Sequence, residues 1–79
     1  MTTVNLYKKM KEALDNSPRQ AWTAELHLQV IKYSQEFKTT SGKEFCEELG
    51  INASYGTEFA KMKKIADRLI DAGLDVKKI

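Results

Sequence analysis

Four residues share one helical period and a compatible chemistry: Thr57, Lys61, Lys64 and Arg68 recur at i, i+4, i+7 and i+11. Ammonium and guanidinium groups on one helix face suit phosphate oxygens. Each phosphate they neutralise releases counterions, so binding through them weakens steeply with salt. The alternative is a solvated face on which Lys64 and Arg68 pair with Asp67 or Asp71 one turn away, for a few tenths of a kcal/mol each. Other reactive groups are scarce. With one cysteine, Cys46, and one histidine, His27, neither an internal disulfide nor a zinc-ligand set is available. A nucleophile, a base and an orienting group would have to come from these two and scattered carboxylates, with no glycine-rich phosphate loop. No enzyme, cofactor or small-molecule substrate is expected. Cys46 reads as a small buried hydrophobe and His27 as a boundary residue.

The elements that must hold the stripe belong to one domain, residues 1–79. A chain of this size buries only about 60% of the surface it exposes when unfolded, so its core has to be compact. Composition is 42% hydrophobic and 30% charged with one proline, which fits a helix-rich globular protein. The net charge of +2 says little by itself, but its distribution is uneven. Ser41 to Glu58 carries one lysine against four glutamates, and Phe59 to Ile79 carries six basic residues against three aspartates. An anion would therefore bind the last helix. No run of about 18 apolar residues could span a bilayer, and "MTTVNLYKKMKEALD" lacks the apolar core of a signal peptide, so no membrane association and a cytoplasmic location are expected.

Val4, Leu6, Tyr7, Met10, Ala13 and Leu14 mark a first amphipathic helix that ends at "DNSP". Ser17, Pro18 and Gln20 are spaced as a cap, an N1 proline and a capping-box glutamine, which predicts a new turn at Pro18. A second helix is expected over Thr23 to Phe37, with Trp22, Leu26, Val30, Tyr33 and Phe37 as its core face and Trp22 anchoring the first two helices. Ala24, Leu28 and Ile31 form a second row on nearly the opposite side. That row is either sandwiched between helices, the reading favoured in so short a chain, or presented to a partner. Ser41 and Glu44 have capping-box spacing ahead of a two-turn helix that buries Phe45, Cys46 and Leu49 and stops at Gly50. The last helix starts near Asn52 or Ser54, buries Phe59, Met62, Ala66, Leu69 and Ile70, and ends at Gly73 with Leu74 folding back. "LDVKKI" leaves room for a strand or tail and none for a two-stranded wing.

A helix-turn-helix needs a small residue four positions before its turn glycine, where the two helices meet closely. Cys46 and Gly50 have that spacing, and Ile51, Asn52 and the helix from Ala53 onward continue the order. Ser41 to Leu74 thus resembles the wingless helix-turn-helix class of bacterial DNA-binding domains, and "RLIDAGLD" resembles the end of its recognition helices. Gly56 stands where that class usually has a buried valine or isoleucine. Either the helix starts later, near Thr57, or Gly56 admits a close backbone approach. The resemblance implies an all-α, four- to five-helix domain that docks its last long helix on duplex DNA as a transcriptional regulator or accessory factor. Ser54, Tyr55, Thr57 and Glu58 would lie nearest the bases, and Lys61, Lys64 and Arg68 on phosphates. Ala24, Leu28 and Ile31 are the candidate homodimer interface. The alternative is a helical protein-protein interaction module without DNA binding, using that row or the acidic Glu44 to Glu48 helix.

Overall fold

The first helix buries the face its spacing marks. In the computed structural model α1 spans Thr3–Asn16, and Leu6, Tyr7, Met10 and Leu14 are buried along it. The structure describes residues 3–79, apart from the side chains of Thr3, Val4 and Arg19, so the expectation for Val4 lies outside the described residues. Three more α-helices follow, α2 (Trp22–Lys32), α3 (Gly42–Leu49) and α4 (Tyr55–Asp71), with 3-10 turns at Arg19–Ala21, Ser34–Phe37 and Val76–Lys78. The architecture is all-α, with no strand among the described residues. The strand option for "LDVKKI" is therefore replaced by a 3-10 turn, started by the Asp75 carboxylate accepting from the Lys77 amide at 3.0 Å.

α2 packs on both α1 and α4, and α3 packs on the same two helices. Between them sit Phe37, Phe45 and Phe59, one from each of three consecutive elements and each essentially without exposure. Phe45 and Phe59 stack with centroids 4.2 Å apart, and Phe37 meets both edge-on at 5.4 and 5.6 Å. Tyr7 reaches the cluster from α1, 5.6 Å from Phe37 and 6.1 Å from Phe45. Aromatic pairs of these geometries add about 0.5–1.5 kcal/mol each beyond their area burial. Burial raises the Tyr7 phenol pKa above its ordinary value, and the negative charges of Glu44 and Glu48 on α3 push it further the same way.

Two local expectations are corrected by tertiary context. Ser17 does not cap the turn at Pro18: its hydroxyl donates back to the Leu14 carbonyl at 2.6 Å, stopping α1 instead. The second helix does not run to Phe37. It breaks at Tyr33 and tightens into the Ser34–Phe37 turn, yet Phe37 still reaches the core. Where the 3-10 turn ends, Lys63 of α4 collects carbonyls, its ammonium donating to Phe37 O at 2.9 Å and Thr40 O at 3.0 Å while lying 4.8 Å from the Phe59 ring centroid. Trp22, half-buried against the core, also meets Tyr55 of α4, with ring centroids 5.2 Å apart. Trp22 to Tyr55, His27 to Glu58 and Phe37 to Lys63 succeed one another in the same order on both sides, so α2 and α4 run in the same direction.

Candidate nucleic-acid interface

The corner between α3 and α4 is built almost wholly from backbone. Ser41 caps α3, its hydroxyl accepting from the Glu44 amide at 3.1 Å. Phe45, Cys46 and Leu49 are buried, and Gly50 ends the helix with φ of 76°, a left-handed conformation that glycine adopts without steric cost. The amides of Gly50 and Ile51 both donate to Cys46 O, at 2.9 and 3.0 Å. Cys46 is therefore the pivot its spacing marks, and burial pushes its thiol pKa up, away from reactivity. Asn52 supplies the next turn, its side-chain oxygen accepting from the Ser54 amide at 2.9 Å. α4 then starts at Tyr55, without a side-chain cap from Ser54.

Neither reading of Gly56 holds as expected: α4 does not start later, and the close backbone approach at Gly56 depends on the missing side chain of Gly42, since a Cβ on Gly56 itself would meet nothing nearer than 3.4 Å. Gly56 lies inside α4, and a Cβ placed on Gly42 would come within 2.7 Å of Gly56 O and 2.9 Å of Gly56 Cα. The first turn of α3 and the first turn of α4 thus touch backbone to backbone. Sequence reasoning missed Gly42. Its signal was a glycine in the first turn of a helix, where propensity argues for almost anything else.

From this corner α4 projects its polar stripe. Thr57, Lys61, Lys64 and Arg68 are all exposed, and at about 100° per residue they fit within an arc of about 60°. Among the described residues none of the three cations has a carboxylate oxygen within 4.0 Å, so the pairs with Asp67 or Asp71 do not form. The other residues expected near bases separate. Ser54 is exposed, Tyr55 is half-buried with its ring against Trp22, and Glu58 faces α2, 3.2 Å from the His27 imidazole. Glu44, Glu47 and Glu48 are exposed on α3. The fold brings α1 round to them, and Lys8 and Lys11 border the same cleft as Glu48, about 300 Å³ in volume.

Two further expectations are revised here. Leu69 is 39% exposed instead of buried, because the helix turns it away from Phe59 and Ala66, which are the buried positions. The row of Ala24, Leu28 and Ile31 is not sandwiched: Ala24 is exposed, Leu28 is 42% exposed and Ile31 is half-buried. α2 lies between α1 and α4 on its other sides. At the far end of α4, Gly73 with φ of 111° lets Gly73 N reach Ile70 O and Leu74 N reach Leu69 O, both at 3.0 Å, the expected glycine stop.

The family model of the HTH-like domain matches residues 2–72, which takes in all four helices. The chain belongs to the HTH-like domain family. Within the matched residues α3, the Gly50 turn and α4 succeed one another as helix, turn and helix. Neither the curated proteins nor the solved structures gave a match to this HTH-like domain. Among its described residues no helix is long and apolar enough to cross a membrane.

Proposed function

We propose that this HTH-like domain binds duplex DNA, as a transcriptional regulator or accessory factor, with α4 as the recognition helix. One observation carries the reading: three exposed cations, without carboxylate partners among the described residues, in line on the second of two helices joined by the Gly50 turn. Ser54 and Thr57, exposed at the start of α4, lie nearest the base edges, and Tyr55 braces that turn against Trp22. Lys61, Lys64 and Arg68 take phosphates. The acidic face of α3, which in such a docking crosses the phosphate backbone, lowers affinity.

Three phosphate contacts give a slope of about −2.7 in log affinity against log salt, or about a 40-fold loss between roughly 50 and 200 mM. Fluorescence anisotropy against a labelled mixed-sequence duplex reads this directly. Lys64→Glu is expected to weaken binding and flatten the slope by about one contact. A wild-type protein that does not bind at the low end of that salt range, or a variant with an unchanged slope, would overturn the reading. Glu47→Lys works in the opposite direction and is expected to tighten binding.

Isolated helix-turn-helix modules gain specificity by pairing two half-sites, and the exposed Ala24 and Leu28 with Ile31 offer a self-complementary face for a homodimer. Sedimentation equilibrium is expected to give a dimer that Leu28→Glu dissociates, and a monomer at high concentration would remove that part. The solvent-open Leu28 also supports the second reading, a protein-interaction module without DNA binding. Under that reading Leu28→Glu abolishes partner capture and Lys64→Glu leaves it intact.

A further inference from the structure

Among the described residues three large apolar side chains stand out to solvent, Leu28, Ile65 and Leu69, and two of these sit one turn apart in the C-terminal half of α4. Ile65 and Leu69, with Ala72, Lys64 and Arg68, form a shallow, solvent-open hollow of about 430 Å³ along the side of this one helix. DNA recognition leaves this surface unexplained. A recognition helix meets base edges through its N-terminal residues, and phosphates are poor guests for an isoleucine and leucine floor.

We infer that the hollow docks an acidic amphipathic helix from a partner protein. Apolar side chains of that helix seat on Ile65, Leu69 and Ala72, and its carboxylates pair with Lys64 and Arg68. An apolar floor edged by charge is the pattern that receives one face of an amphipathic helix. Charge complementarity selects the acidic guest, since both edging cations lack a carboxylate within 4.0 Å among the described residues. A second copy of the chain fits worse. Antiparallel pairing of two α4 helices sets Lys64 and Arg68 against their own counterparts. The acidic helix of a second copy, α3, turns Phe45, Cys46 and Leu49 inward and has no large apolar side chain to offer. Docking does not depend on DNA binding, but it occupies the cations that phosphates would use. If the domain does bind DNA, the acidic helix and DNA exclude one another.

The test is selection of a display library of random short peptides on the full chain, followed by anisotropy and NMR shift mapping of the enriched sequences. Enriched peptides are expected to carry apolar residues at i, i+3 or i+4 and i+7 with interleaved Asp and Glu. They should shift the amides of residues 64–72 and lose about tenfold or more in affinity against both Ile65→Ser and Arg68→Glu. Thermal melting of both variants checks that they fold, and Leu69→Gln replaces Ile65→Ser if that protein melts early. Failure to enrich any peptide, enrichment without acidic residues, or mapping to another face overturns the proposal. So does a concentration-dependent dimer that Ile65→Ser disperses, because the hollow then belongs to a second copy. The readout is peptide affinity, so a failed DNA titration does not imitate any of these results.

Discussion

The two ends of α4 are built on opposite plans. At its start the helix is clamped: Gly56 rests on the backbone of Gly42, Tyr55 lies against Trp22, Glu58 meets His27, and Phe59 stacks on Phe45. At its end Lys64, Ile65, Arg68 and Leu69 are exposed, and only Ala66 of the last three turns is fully buried. Two adjacent lysines mark the boundary. Lys63 is tied to two carbonyls of the neighbouring segment, whereas Lys64 faces solvent. One helix therefore divides its work by position, with the first half fixing its direction and the second holding surface available to a ligand. The polar stripe runs along the outer side of both halves.

This contrast predicts a graded response to substitution. The largest effect belongs to Phe59→Ala, which empties the centre of the clamped end and is expected to cost about 3–5 kcal/mol by urea denaturation. That is much of the stability of a typical small domain. Gly42→Ala comes next, at about 1–3 kcal/mol, because the added methyl meets backbone that cannot rotate away. Its partner Gly56→Ala breaks the symmetry. A Cβ there has no neighbour on Gly42 nearer than 3.4 Å and gains helix propensity, so stability should rise, by up to about 1 kcal/mol. Equal losses from both glycines would mean that the contact is not one-sided. Lys63→Met keeps the packing over Phe59 but removes both donors, for about 1–2 kcal/mol. Smallest are Lys64→Glu and Arg68→Glu, each within about 0.5 kcal/mol of wild type in stability while binding changes strongly. A large stability loss in either would erase the distinction between the two ends.

Much of this was legible because it is local. The glycine stops at Gly50 and Gly73, the Ser41 cap and the period of α1 depend on neighbours within a turn or two, which a sequence displays directly. What stayed hidden depends on residues distant in the chain. The break at Tyr33 is accompanied by carbonyl acceptance from Lys63, 26 residues after Phe37, and no periodicity reveals a lysine bonded to backbone. Leu69 follows the apolar pattern of its helix, yet it points aside from the Phe59 and Ala66 face and no packed element covers it. Of the candidate interface, the cationic stripe was read correctly as a continuous exposed face. Glu58 is expected beside Ser54, Tyr55 and Thr57 near the bases on position alone, and only its contact with His27, distant in the chain, shows that it turns toward α2.

The aromatic cluster also has a kinetic consequence. Phe37, Phe45 and Phe59 lie close in sequence, so the loops that must close to unite them are short and their closure entropy is small. Tyr7 enters from the far end of the chain and pays for a longer loop. The segment from Phe37 to Phe59 is thus expected to form the folding nucleus, with α1 docking after the rate-limiting step. Stopped-flow measurements should then find that Phe45→Leu mainly slows folding, whereas Tyr7→Ala mainly speeds unfolding. The helix-turn-helix would be the first part of the molecule to acquire its shape, and the N-terminal helix the part whose release sets how long that shape survives.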